Sequence, residues 1–437
     1  MFQGSRVNSY YMNCAKIKLE EDTMKNRSFV YKYLFAFISC FLYLGQLTIL
    51  PCTVAVVSGK ATPDGRPLMW KNRDTSVLNN KIVFLKGEKY NFIGLIDAKD
   101  KNAINVWAGI NTEGFAIMNS ASGDLASEER SGMGNGRFMK LALEVCATAS
   151  DFENLLKSTN GERGTATNFG VLDAEGNACI FETGSSSFRK YDANDPEVAP
   201  QGYIIRTNYA FTALEKGRGG GYIRFDRALR LFQKASSERR LDYKFILQKV
   251  ARDLVNEKLH SFPLTQPKDH NPSSPLYINT NDTINRNSTA SVALFHGVAE
   301  RKKSHLATMW VILGQPICSV AIPLWATAEY APEVLAGPKT APLNDFSRAL
   351  VSYLYPDPRG HMSQYLNVSR LIHYGGDGVL SRMHKIENQV FTKTEAALKE
   401  WEKEKPAQRV IADFEEKISE WVFKSLKNSF LDIQIIE

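Results

Sequence analysis

The chain has little cysteine: six residues in 437, at Cys14, Cys40, Cys52, Cys146, Cys179 and Cys318, none of them in a C-x-x-C pair. That spacing excludes a disulfide-stapled scaffold and a zinc ribbon, and each thiol reads first as a small buried hydrophobe. The seven histidines stand in no recognisable metal or Cys/His motif. No phosphate-cradling glycine loop and no internal repeat is present either. Neither a metal nor a cofactor is therefore expected. One-sided charge is also lacking. The net charge of +7 falls to +4 when residues 1–51 are set aside, which is too mild and too scattered for a nucleic-acid surface. What is present is a globular composition, 43% hydrophobic and 23% charged, long enough for one large domain or two ordinary ones.

One long hydrophobic run exists. From Met24 a basic start leads into about 18 mostly apolar residues, interrupted chiefly by Gln46, in the layout of a secretory signal. Residues 1–23 then form an upstream extension, and the protein is expected to be exported, periplasmic or secreted. The alternative is a retained membrane anchor over residues 33–50, at the short end of a spanning helix. The run ends in "LPCTVAVVSGK", which places Cys52 at the seam between leader and first strand. Leu50 and Pro51 are not the small residues of an ordinary cleavage site, nor of a lipoprotein site, and lipidating Cys52 would cap its sulfur.

Beyond Cys52, strands are expected at residues 52–58, 68–72, 81–86, 91–97, 106–110 and 115–119. Helices follow at 136–149 and 151–158. "TPDGRP" between the first two strands has the Pro and Asp-Gly of a tight hairpin turn, "NFGVLDAEGNACIFETG" reads as a further hairpin and "GYIIRTN" as a strand. Amphipathic helices are expected at 222–234 and 241–258, then strands at 291–295, 308–313 and 319–323. After residue 341 the chain turns helical and ends in a charged pair, 380–403 and 407–426, divided by Pro406. Clustered antiparallel strands and helices of this kind give an α+β layered fold rather than alternating βαβ units. The division expected is a leader at 1–51, a catalytic domain at 52–340 and a helical extension at 341–437, packed on that same domain.

Four ordered segments carry a family resemblance. "CTVAVV…DGRPLMWKNRD" resembles the mature start of N-terminal-nucleophile (Ntn) hydrolases in the choloylglycine hydrolase, penicillin V acylase and acyl-CoA:6-aminopenicillanic acid acyltransferase branch. "GINTEGFAIMNSAS", "IIRTNYA" and "YIRFDRALRLF" are similar to three later segments of that branch, in the same order, and "INRNSTASVALFHGV" and "PLWATA" are similar to its secreted subgroup. The resemblance implies a four-layer αββα sandwich and a catalytic set of Cys52, Asp74, Asn119, Asn208 and Arg224, with Lys71 and Arg73 supporting or meeting substrate. Lys71 stands where the branch usually has arginine, and a lysine is a mobile point charge rather than a planar fork.

The residue types suit that chemistry. If Cys52 becomes the first residue, its α-amine, of ordinary pKa about 7.7–8.0, is a base tethered to the nucleophile, and no histidine is needed. Asp74 could hold the α-ammonium, while Asn119 and Asn208 could donate to an oxyanion without changing charge. Taken singly, each has a structural reading: Asp74, Asn119 and Asn208 as strand-end residues, Arg224 as a surface residue paired with Asp226 or Glu215. The resulting expectation is a hydrolase of linear amides, or an acyltransferase, acting on a small-molecule amide or thioester without nucleic acid. Membrane contact would come only through an uncleaved leader, and homo-oligomerisation is left open. The rival expectation is a membrane-tethered, non-catalytic binding protein with a degenerate Ntn fold.

Overall fold

The computed structural model describes residues 52–125, 132–212, 219–263, 275–358, 360–373 and 377–433. The expected leader and upstream extension, with Cys14 and Cys40, lie outside the described residues. The strands begin with β1 (Thr53–Val57), β2 (Leu68–Asp74), β3 (Asn80–Leu85), β4 (Phe92–Asp97), β5 (Ala108–Asn111) and β6 (Ala116–Ala121). They continue with β7 (Thr167–Leu172), β8 (Ala178–Thr183), β9 (Phe188–Asp192), β10 (Tyr203–Arg206) and β11 (Tyr277–Asn279). The last are β12 (Thr289–His296), β13 (Thr308–Leu313), β14 (Ile322–Leu324) and β15 (Tyr365–Asn367). The longer helices are α1 (Asn135–Val145), α2 (Ala149–Ser158), α3 (Tyr222–Ser237), α4 (Pro342–Leu354), α5 (Val379–Lys403) and α6 (Gln408–Ser429).

Two antiparallel sheets result, one ordered β10-β1-β2-β12-β13-β14 and the other running β3 to β9 in sequence, with a separate β11–β15 ribbon. The sheets pack face to face through β1 and β2 against β6, β7 and β8. Strand alternation explains how the second sheet buries both faces. In β7 and β8, Phe169, Val171, Cys179 and Phe181 join the core under α1 and α2, while Leu172, Ala178 and Ile180 join the core shared with the first sheet. Helices α3 and α5 cover the other side of the first sheet, for example through Phe232 against Trp70 and Phe391 against Trp310. The layers are therefore αββα, the expected α+β sandwich with a helical C-terminal region.

The C-terminal helices share the main core rather than making one of their own. In α5, Val379, Met383, Ile386, Val390 and Phe391 are buried at helical spacing. Trp401 sits within the charged "KEWEKEK" run yet is buried against Trp325, at 4.9 Å between ring centroids. Its charged neighbours are exposed. A bidentate buried pair, Arg252–Glu387 at 2.7 Å, ties α5 to the first sheet's helical layer.

Two expectations are corrected. Residues 241–258 do not form one helix: a short turn at Tyr243–Phe245 runs into a π-turn at Ile246–Val250 and stops. The polar residues after it are spent on tertiary contacts, Arg252 on Glu387 and Asp253 on Arg227, instead of continuing a solvated helical face. The β1–β2 connection is also not a tight hairpin. It contains a 3-10 turn at Gly59–Ala61 and closes through Asp64 on His296. Strands β9, β11 and β15 were not expected; each is short or largely exposed, so none shows a clear hydrophobic period.

Candidate active site

Cys52 stands immediately before β1, buried and with a free thiol. Strand pairing sets its neighbours. Thr53 lies opposite Asn72, so the residues at the end of β2 flank the cysteine on one side. Val54 lies opposite Arg206, so Thr207 and Asn208 continue past β10 on the other. Among the described residues the other free thiols, Cys146, Cys179 and Cys318, are packed in the core, and burial pushes the first two up to about 12.

Arg224 links the cysteine to the second flank. It lies in the first turn of α3, fully buried, and donates through Nη1 to the Cys52 carbonyl oxygen and to Thr53 Oγ1, both at 2.6 Å. Its Nη2 donates to Asn208 Oδ1 at 3.0 Å. Arg224 is therefore a buried residue and not the expected surface one, and its bonds go to these groups instead of Asp226; Glu215 lies outside the described residues. Burial and neighbouring Arg286 disfavour the Arg224 charge, and Asp74 and Cys52 oppose them. A guanidinium nevertheless keeps its proton at neutral pH. Gly221, with φ +84°, makes the approach: a Cβ there would stand 2.1 Å from Arg224 Nη2.

Lys71 and Asn119 form a second buried unit. Lys71 Nζ donates to Asn119 Oδ1 at 2.7 Å and to the Trp107 carbonyl at 2.8 Å. Burial pulls the Lys71 ammonium down from 10.5 to about 8; Cys52 and Asp74 act the other way, and Arg73 adds to the fall. Asn119 Nδ2 donates to Thr167 Oγ1, and Asn208 Nδ2 to the Ala121 carbonyl. A carboxamide has two N–H donors, so each amide has one tied to the protein and one to offer a ligand.

Asp74 is fully buried, and burial pushes its carboxyl above the usual carboxylate range. Arg286 is the largest opposing influence, with Arg224, the Thr289 hydrogen bond and Lys71 behind it. Arg286 Nε lies 3.3 Å from Asp74 Oδ2, and Thr289 Oγ1 donates to Asp74 Oδ1 at 2.6 Å. Arg73 turns elsewhere: it pairs with Asp97 at 2.8 Å, donates to Asn80 and lies over the Trp107 ring. Its place is in the wall behind Asp74.

Sequence reasoning missed Arg286, Thr289 and Thr53. The signal for the first two lay in "INRNSTASVALFHGV", whose asparagine- and serine-rich start carries no periodicity that picks out one side chain. Thr53 is the threonine of the Cys-Thr pair, and its hydroxyl earns a role only once Arg224 is seen beneath it. Three cations, Lys71, Arg224 and Arg286, thus stand around Cys52 and the buried Asp74 carboxyl, while the charge of Arg73 is taken by Asp97. Such a field favours negative charge developing on a substrate oxygen.

Comparison with known proteins follows the same line. Residues 61–299, more than half of the chain, match the family described as acyl-coenzyme A:6-aminopenicillanic acid acyl-transferase; the match begins after Cys52. No curated protein sequence matches the chain. Among solved structures, a variant of conjugated bile acid hydrolase from Clostridium perfringens is similar at 13% identity and TM-score 0.39, over 60% of this chain and 89% of that one. Penicillin V acylase from Agrobacterium tumefaciens is similar at 14% and 0.39, over 63% and 86%. The Caenorhabditis elegans ortholog of N-acylethanolamine-hydrolyzing acid amidase is similar at 15% and 0.38, over 56% and 92%.

Proposed function

The chain belongs to the acyl-coenzyme A:6-aminopenicillanic acid acyl-transferase family, and from that premise we propose that it is an exported enzyme that opens linear amides through an acyl-enzyme on Cys52. The observation that carries this reading is the Arg224 guanidinium, which gathers Cys52, Thr53 and Asn208 from separate segments around one buried point.

Activation comes first: hydrolysis of the Pro51–Cys52 peptide bond puts the hydroxyl of water on the Pro51 carbonyl carbon and its hydrogen on the Cys52 nitrogen, which becomes an α-amine. That amine takes the thiol proton as sulfur attacks the substrate carbonyl carbon. The carbonyl π pair moves onto oxygen, where the remaining N–H donors of Asn119 and Asn208 meet it. Lys71 holds the Asn119 amide with its oxygen turned toward the ammonium and its nitrogen left for the oxyanion. Collapse of the intermediate breaks the C–N bond, and the leaving amine takes the proton from the α-ammonium. Asp74, whose charged form Arg286 and Thr289 favour against burial, is the group suited to hold that ammonium. A water deprotonated by the α-amine then attacks the thioester carbonyl carbon, the C–S bond breaks, the Cys52 sulfur takes its proton back from the α-ammonium and the acyl group leaves as a carboxylic acid that ionises in solvent; an acceptor amine in place of water gives transfer by the same steps.

The test is turnover of a panel of linear amides by purified protein and by Cys52→Ala. The reading requires that the variant be inactive and that active wild-type protein begin at Cys52. Turnover by Cys52→Ala refutes it.

A further inference from the structure

From the packing of the C-terminal helix α4 against the catalytic layers, we infer that this helix builds a subsite for a substrate carboxylate, with Arg348 as the recognising cation. The inference rests on the amide-opening reading above and concerns the specificity of that same site.

Three observations place the subsite. First, α4 is fastened to the loop that leaves Asp74. Asn344 is buried; its Oδ1 accepts from Asn80 N at 3.1 Å and its Nδ2 donates to the Leu78 carbonyl at 3.3 Å. Arg348 Nη1 donates to Asn79 Oδ1 in the same loop. Gly314, with φ +89°, lets the helix come this close, because a Cβ there would stand 2.1 Å from Ser347 Oγ.

Second, the fastening leaves a cleft between α4, that loop and the start of β12, lined by Leu78, Asn287, Thr289, Arg348, Ser352 and Tyr355 among others. Thr289 is the residue whose hydroxyl donates to Asp74. The cleft is therefore one side chain removed from the catalytic carboxylate. Its cavity volume of about 50 Å³ has room for a few waters or a carboxylate on a short arm, not for a whole acyl chain.

Third, the charge of the cleft is single. Arg348 is the one charged side chain among the lining residues, half-buried and with no carboxylate partner among the described residues. A guanidinium has five N–H donors in a planar fork; with Nη1 engaged by Asn79, donors are left for a carboxylate. The polar remainder, Asn287 and Ser352, can hydrogen-bond such a group without opposing its charge. The substrate class is accordingly a linear amide that also bears a carboxylate.

The probes are 4-oxo-5-phenylpentanoate, an uncleavable ketone analogue of N-phenylacetylglycine, and its carboxamide. Each is titrated calorimetrically into wild-type, Arg348→Gln and Arg348→Lys protein. The expected result is that wild type binds the carboxylate roughly tenfold to a hundredfold more tightly than the carboxamide. Arg348→Gln abolishes that preference, Arg348→Lys retains part of it, and carboxamide affinity is the same in all three. The inference is overturned if wild type shows no preference, if the preference survives Arg348→Gln, or if Arg348→Gln weakens both probes alike, which is the mark of a helix clamp only. Turnover of N-phenylacetylglycine, measured separately, tests the amide-opening reading without touching this comparison.

Discussion

Replacing Lys71 separates catalysis from stability, because the same burial that unsettles its charge places it beside Asn119. The ammonium is fully buried without a carboxylate at hydrogen-bond distance among the described residues, and it titrates near 8 instead of 10.5. A fall of that size corresponds to a cost of about 3 kcal/mol for keeping the charge inside at neutral pH. The sign follows from proton binding. Between about pH 8 and the unfolded value near 10.5, the unfolded chain holds the Lys71 proton more than the folded one. Stability from this group therefore rises with pH across that window, while the positive charge at the site is lost. Lys71→Met removes both the charge and its burial cost, so its melting temperature at pH 7 should stay near or above wild type. Its kcat should fall roughly tenfold to a thousandfold, as an oxyanion donor loses its fixed orientation. Lys71→Arg keeps the charge, and the alkaline limb of its kcat/KM profile should move from near pH 8 to well above it. Rates measured from pH 5 to 10 beside thermal melts decide the matter. Wild-type kcat in Lys71→Met, or an unmoved alkaline limb in Lys71→Arg, refutes the assigned role.

Other perturbations follow from the buried charges. Arg286→Gln leaves Asp74 without its main counter-charge and should destabilise the fold by about 3–5 kcal/mol at pH 8. Because the Asp74 carboxyl is already raised by burial, its loss of stability accrues as pH rises above the unfolded value near 4. The melting gap between Arg286→Gln and wild type should thus be smaller at pH 5 than at pH 8, and an equal gap contradicts the pairing. Glu387→Ala strands the Arg252 guanidinium and leaves the Ala321 amide N–H unpaired. Denaturant titration should show about 3–5 kcal/mol lost, with KM unchanged in the protein that remains folded. Cys52→Ala should leave the leader attached if the thiol itself cuts the Pro51–Cys52 bond, and intact mass reads this directly.

The layered architecture was legible because its strands alternate and its terminal helices are amphipathic. The "FAIMN" and "NFGVL" segments predicted the interior strands β6 and β7, and both ends of the long helix α5 fall within a residue of the expected bounds. Residues 241–258 misled because a helical period persists there while Arg252 and Asp253 bond to distant partners, a tertiary choice invisible to local spacing. At the candidate site, Cys52, Asp74, Asn119, Asn208 and Arg224 stood out through ordered motifs, and the fold brings Cys52, Asn208 and Arg224 into direct hydrogen-bonded reach. Arg286 did not stand out, since what makes it important is the burial of Asp74, and burial emerges only from the β2–β12 register. The part played by α4 was equally hidden. Its Asn344 and Arg348 act on a loop more than 260 residues earlier in the chain.

The central claim is that Cys52, as the first residue, carries the acyl group. Active protein mixed with an amide substrate, quenched in acid and analysed by tandem mass spectrometry, tests it most directly. The account predicts an N-terminal peptide beginning at Cys52 and bearing the acyl mass on that residue. Active protein whose chain begins elsewhere, or whose acyl adduct sits on another residue, contradicts it.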